Sequence, residues 1–182
     1  MLNHKNSREI SVIAAILFCF CAFKINAETT PEPENYRTSD YRGSVPDTVS
    51  GAQVIDSPAT LKSMIDTEDP VLIDVYPAPN KPDDLAPGTL WIEPSRDTLP
   101  GALWLANTGH GILPDNLITL LQTYLPDDRP VVIFCEPRCW HSWNAAKRAV
   151  ELGAKNVYWY RNGVTGWNEA GYPLETHTPV RQ

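Results

Sequence analysis

Two cysteines four positions apart are the residues of this chain best placed to do chemistry. Cys135 ends the apolar run VVIF, and Cys139 lies in the loop that follows, before an amphipathic helix predicted over 142–152. Loop amides and the positive end of a helix dipole both stabilise an anion, so we expect Cys135 to ionise readily. The pattern therefore predicts an accessible, nucleophilic cysteine with a second thiol close by.

Cys139 has two interpretations. It could resolve a persulfide or a sulfenic acid on Cys135 into a disulfide, or it could be a passive loop residue or half of a structural disulfide. Side chains four apart on a regular helix have Cβ atoms about 5–6 Å apart, whereas a disulfide needs roughly 3.5–4.5 Å. Pairing of the two cysteines therefore requires a curled loop.

The rest of the loop could hold an anion through its backbone amides. Arg138 and His141 could add positive charge. His141 could equally be a metal ligand or a helix-capping residue, and Arg138 could be a charged loop residue exposed to solvent. Asp74, at the end of a second buried strand, is expected to fix loop backbone by hydrogen bonds rather than to transfer protons. The candidate site comprises Cys135 and Cys139, supported by Asp74, with an anion-binding loop of Glu136, Pro137, Arg138, Trp140, His141 and Ser142.

The N-terminal segment has the pattern of a secretory signal. Lys5 and Arg8 precede an apolar run over 10–23, and Ala27 offers a small residue for cleavage. The run is shorter than the roughly twenty residues of a spanning helix, which favours a cleaved signal peptide over a membrane anchor. We therefore predict a signal over 1–27, cleavage after Ala27, a periplasmic protein without membrane attachment, and loss of Cys19 and Cys21 with the signal.

The charge balance restricts the partners. The chain has 15 basic and 22 acidic residues, of which the signal removes three and one, leaving a net charge of −9. A domain this acidic argues against nucleic acid or an anionic membrane as partner. An anionic ligand would have to be held by local geometry.

The mature chain is predicted to be an extended arm followed by one α/β domain. Residues 28–50 are rich in Pro, Glu, Thr and Ser and should be mobile or lie on the domain surface. From 51 to 178, strands alternate with helices, which predicts a central parallel sheet flanked by helices on both faces, with Cys135 at its carboxyl edge. The strands are predicted over 52–55, 71–75, 89–92, 103–105, 131–134 and 156–160, and the helices over 57–66, 115–124, 142–152 and 164–170.

Several segments together resemble a rhodanese-like domain. They are VLIDV with Asp74, LPGALWL, VVIFC, SWNAAKRAVELG, NVYWY and GVTGWNEAGYPL. The resemblance implies a cysteine that accepts a sulfane sulfur as a persulfide and passes it to a thiol or cyanide. The form CEPRCWHSWNAAKRA, with YRGSVPDTVSGA upstream, resembles the exported CXXCW-motif family linked to quinoprotein (PQQ-dependent) alcohol catabolism. That resemblance implies a quinoprotein dehydrogenase system as partner.

The loop departs from the family pattern in length and in its last residue. Seven residues, Cys135 to His141, precede Ser142 where the family usually has six, and His141 replaces the closing arginine. Because imidazole cannot grip phosphate at two points, phosphatase activity is not expected. The favoured hypothesis is sulfur transfer or thiol redox chemistry, with no resident cofactor or metal. The alternatives are a dithiol Cu(I)-binding protein and a non-catalytic partner of a quinoprotein dehydrogenase.

Overall fold

The computed structural model describes residues 30–181, so the predicted signal peptide lies outside the described residues. Strands and helices alternate along most of this part of the chain. In order they are β1 (Gln53–Ile55), α1 (Pro58–Glu68), β2 (Val71–Asp74), β3 (Arg96–Thr98), β4 (Leu103–Trp104), α2 (Asp115–Thr123), β5 (Val131–Phe134), α3 (Trp140–Glu151), β6 (Val157–Tyr160), α4 (Gly163–Glu169) and β7 (Glu175–His177).

Five strands form a parallel sheet in the order β1-β6-β5-β2-β4. Strand β5 lies at its centre and is buried on both sides. Val131 and Ile133 pack into one apolar cluster with residues of α2 and α3, while Val132 and Phe134 pack into a second cluster with residues of α1 and α4. Successive strand residues point to opposite faces, so helices cover both. The predicted sheet architecture is confirmed.

The predicted strand over 89–92 is wrong. That segment has no strand partner, and Leu90 and Ile92 are 81% and 78% exposed. The nearby strand is β3, which pairs antiparallel with β7 in a separate two-stranded sheet. Both β3 and β7 are short and polar, so hydrophobic patterning did not predict them. The segment TLWI has the apolar and aromatic residues that favour strands, but it pairs with no other strand.

Helix α3 begins two residues before its predicted start. Cys139 has extended backbone angles, φ −114° and ψ 112°, and is the N-cap residue. The positive end of the helix therefore lies beside Cys139 rather than directly behind Cys135.

Residues 30–50, called the arm from here on, pack along α3. The side chain of Asn144 accepts a hydrogen bond from Arg37 N (2.9 Å) and donates one to Arg37 O (2.8 Å). Trp143 Nε1 donates to Thr48 O (2.9 Å), and Tyr36 contacts Glu151 near the helix end. Side chains of α3 thus satisfy backbone groups of an arm that has little regular structure of its own.

Within residues 30–181, none of the helices combines the length and apolar character required to cross a bilayer.

Candidate active site

Cys135 and Cys139 form a disulfide at the carboxyl edge of the sheet. Their Cα atoms are 6.4 Å apart, within the range that a disulfide bridges. Both side chains are fully buried, at 0% and 1% exposure. The expectation of an accessible Cys135 sulfur is therefore wrong for this oxidised state, in which both sulfurs are buried and the arm pairs with Cys139 and Trp140.

The first half of the loop is held by Glu136. Its carboxylate accepts hydrogen bonds from Arg96 Nη2 (2.8 Å), Thr165 N (3.1 Å) and Thr165 Oγ1 (2.7 Å). Cys135 O accepts from Val164 N (3.0 Å) at the start of α4. Glu136 therefore fixes the loop against β3 and α4, and its side chain is committed to that structure.

The second half of the loop is paired with the arm. Arg42 forms an antiparallel bridge with Cys139. Gly43 N donates to Arg138 O (3.1 Å), and Trp140 N donates to Tyr41 O (2.9 Å). The Trp140 amide, expected among the groups that hold an anion, is thus occupied by the arm.

Arg138 takes a left-handed backbone conformation at φ 57°, which turns the chain from the loop toward the helix. Its side chain is exposed. Pro137 is partly buried, and its carbonyl accepts a hydrogen bond from Arg42 Nη1 (3.5 Å). Arg42 is also exposed, so two guanidinium groups lie on the outer side of the loop.

His141 lies directly against the sulfur pair. Its Nδ1 is 3.6 Å from Cys139 Sγ, its ring stacks on Tyr41 at 4.1 Å, and His110 packs edge-on at 4.8 Å. Burial, with the charges of His110 and Arg42, lowers the pKa of His141 to about 4. The expectation that His141 supplies positive charge is therefore wrong at neutral pH, where the imidazole is neutral and can act as a hydrogen-bond partner or a ligand.

Trp140 and Ser142 are structural. Ser142 Oγ donates to Cys139 O (3.0 Å) and accepts from Trp159 Nε1 (3.0 Å), which joins the helix start to β6. Trp140 is buried edge-on against Trp143, with the Arg37 guanidinium over its ring. In this structure their side chains therefore hold the loop and the start of α3 in place.

Asp74 is completely buried at the end of β2. Its carboxylate accepts from Tyr76 N (2.9 Å) and Thr98 Oγ1 (2.7 Å) and lies 3.3 Å from Arg96 Nε. Burial raises its pKa to about 6, against the opposing effects of Arg96 and the hydrogen bonds. Asp74 thus holds the chain after β2 and, through Arg96, is connected to Glu136 in the cysteine loop.

Sequence reasoning missed Arg96 and Tyr41 as parts of this site. Arg96 stacks on Tyr76 at 4.0 Å and joins two carboxylates, but it follows a proline-rich passage with no periodicity. The pairs Tyr36-Arg37 and Tyr41-Arg42 were the available signal for the arm, since aromatic residues are unusual in a solvated tail.

Cys135, Cys139 and His141 also form a compact set of metal-ligand atoms. All three lie within 4.8 Å of one another, and all three residues are buried. In the oxidised state the sulfurs are joined to each other. Once reduced, the site would offer two soft sulfur donors and one imidazole nitrogen.

A family model and a named protein both match this sequence. The sequence model of the family described as "Rhodanese-like domain" matches residues 57–170. A protein named sulfurtransferase from Allochromatium vinosum is 29% identical over 120 residues, covering 66% of this chain and 92% of that protein.

Two solved structures are similar in shape. The polysulfide-sulfur transferase homodimer of Wolinella succinogenes is 22% identical, with 69% of this chain and 80% of that one covered, at a TM-score of 0.45. A 3-mercaptopyruvate sulfotransferase of Escherichia coli is 15% identical, with 71% and 53% covered, at a TM-score of 0.47.

Proposed function

The chain belongs to the rhodanese-like family, and on that premise we propose that it is a sulfurtransferase in which Cys135 accepts a sulfane sulfur and Cys139 discharges it. The observation that carries this proposal is the Cys135–Cys139 disulfide, because it is the product that discharge by Cys139 would leave. The similarity to the Allochromatium sulfurtransferase supports a small sulfur-containing anion such as thiosulfate, or a thiol, as reaction partner.

In the first step, the Cys135 thiolate attacks the sulfane sulfur of thiosulfate. The new bond joins the two sulfurs, the sulfur–sulfur bond of thiosulfate breaks, and sulfite leaves with the electron pair. The product is a Cys135 persulfide. Arg42 and Arg138, exposed on the outer side of the loop, supply the positive charge that an anionic donor needs on this acidic chain.

In the second step, the Cys139 thiolate attacks Cys135 Sγ. A disulfide forms between the cysteines, the bond to the outer sulfur breaks, and that sulfur leaves as hydrosulfide. The two cysteines are oxidised and the transferred sulfur is reduced. A small dithiol reductant then returns both cysteines to thiols by exchange.

His141 and the hydrogen bonds of the cysteine loop keep Cys135 and Cys139 close to each other. The imidazole Nδ1 lies 3.6 Å from Cys139 Sγ, so it can form a hydrogen bond with that sulfur and hold it beside the loop. Glu136 holds the loop beside Cys135, and the Tyr41–Gly43 pairing holds it beside Cys139.

Intact-protein mass spectrometry tests the assignment of the two cysteines. The chain is reduced, freed of reductant and mixed with thiosulfate. We expect C139S to gain one sulfur atom, wild type to end as the disulfide, and C135S to remain unchanged. Sulfur addition to C135S, or none to C139S, would reject Cys135 as the acceptor. Wild type that oxidises equally without thiosulfate would instead indicate a thiol redox protein.

We further propose that the chain is exported and supports PQQ-dependent alcohol catabolism beside a quinoprotein dehydrogenase. The charged start with its apolar run, and the resemblance of CEPRCWHSWNAAKRA to the CXXCW-motif family, support this role. The periplasmic protein should begin at Glu28. A strain carrying C135S and C139S together should fail to grow on an alcohol oxidised by that dehydrogenase, and normal growth would instead indicate a non-catalytic partner.

A further inference from the structure

We propose that the reduced form of the cysteine pair, together with His141, is a Cu(I)-binding site. Metal binding goes beyond the proposed sulfur transfer, which uses the same two thiols but needs no metal. The inference begins from the placement of three donors of the right kind: two sulfurs and an imidazole nitrogen within 4.8 Å of one another.

The fold brings these donors together independently of any ion. Cys135 is placed by the end of β5, and Cys139 and His141 by the first turn of α3. The Tyr41 ring stacked on His141 holds the imidazole with Nδ1 toward Cys139 Sγ. Because the backbone and a packed aromatic ring fix the ligands, reduction of the disulfide leaves them close to one another.

The donor set favours Cu(I) over other biological cations. Thiolates are soft ligands that select Cu(I), which is satisfied by low coordination numbers. A structural zinc site needs four ligands. Among residues 30–181, the group of candidate ligands at this place stops at three. His110, the neighbouring imidazole, packs edge-on against His141 and is not in the group.

When Cu(I) binds, it replaces the protons of the two cysteine thiols. A thiol reductant opens the disulfide, each cysteine loses its proton, and one Cu(I) bonds to both sulfurs and to the imidazole nitrogen. The complex carries one net negative charge. Arg42, whose backbone pairs with Cys139 and whose guanidinium donates to Pro137 O in the same loop, adds positive charge near the site.

Metal and sulfane sulfur compete for the same atoms. Both cysteines and His141 are buried, so bound Cu(I) would be shielded from water and from other thiols. One equivalent of Cu(I) should therefore prevent sulfite release from thiosulfate, because Cys135 is no longer a free nucleophile.

The test is an anaerobic titration of the reduced full chain with Cu(I), in competition with bathocuproine disulfonate. We expect one Cu(I) per chain, at least tenfold weaker binding in C139S and H141Q, and unchanged binding in the control H177Q, which replaces a histidine of β7 outside the ligand group. X-ray absorption of the wild-type complex should show two sulfur neighbours and one nitrogen neighbour, a result that does not depend on how well a variant folds.

Absence of stoichiometric binding would overturn the proposal, as would equal binding in wild type and C139S, or absorption data without a nitrogen neighbour. Sulfite release by the metal-free protein, measured on the same preparation, reports separately on the proposed sulfur transfer. Failure of one proposal is therefore distinguishable from failure of the other.

Discussion

Asp74 and His141 are buried groups whose pKa values shift in opposite directions. Burial raises the pKa of Asp74 from 3.8 to about 6 and lowers that of His141 from 6.5 to about 4, because the interior disfavours the charged form of each. Asp74 is nevertheless the hydrogen-bonding centre of the segment after β2, and His141 touches the sulfur pair. At pH 7 the imidazole of His141 is therefore neutral, whereas the carboxylate of Asp74 is largely ionised and lies 3.3 Å from Arg96 Nε.

The two groups should make opposing contributions to stability between pH 4 and 6.5. From pH 3.8 to about 6 the folded chain holds a proton on Asp74 that the unfolded chain has lost, so this contribution to stability falls as pH rises. From pH 6.5 down to about 4 the unfolded chain protonates His141 and the folded chain does not, so this contribution falls as pH drops.

When one of the two side chains is replaced, the pH dependence of stability should therefore reflect the side chain that remains. D74N should lose stability on acidification from pH 6.5 to 4.5 relative to wild type, and H141Q should gain it, each by up to about 3 kcal/mol. Urea unfolding at the two pH values measures the change. Identical pH dependence in wild type and both variants would contradict the account.

At the scale of elements, the site is assembled by segments with very different sequence signals. The runs VLID and VVIF predict buried parallel strands because they are continuously apolar, and β2 and β5 form there. Strands β3 and β7 carry no such run and exist because two distant polar segments meet. The position of Cys135 at the end of a strand could therefore be predicted from the sequence. The pairing of the arm with the cysteine loop could not, because it depends on contacts between residues far apart in the chain, which local hydrophobic patterning does not encode.

The arm should control access to the disulfide, since Tyr41 stacks on His141 and pairs with Trp140 N. An aromatic stack contributes about 0.5–1.5 kcal/mol. We therefore expect Y41A to raise the rate of disulfide reduction by dithiothreitol by several-fold to about tenfold.

Y41F is the matched control, because it keeps the ring and loses only the phenol oxygen that accepts from Gly111 N. It should be reduced at nearly the wild-type rate. Equal rates in wild type and Y41A would show that the arm does not limit access.

At the scale of the whole molecule, a parallel sheet presents one sulfur at its carboxyl edge, and a helix start presents the second. The chain is acidic overall, with a net charge of −7, yet Arg42 and Arg138 are exposed beside the loop. The architecture therefore places a local attraction for small anions beside a cysteine pair that is buried in the oxidised state.

Release of hydrosulfide in a single turnover tests the central claim most directly. Reduced chain, without external thiol, is mixed with thiosulfate, and sulfite and hydrosulfide are counted. We predict one of each from wild type, and from C139S one sulfite without hydrosulfide until a thiol is added. Equal hydrosulfide release from wild type and C139S would show that Cys139 does not discharge the Cys135 persulfide.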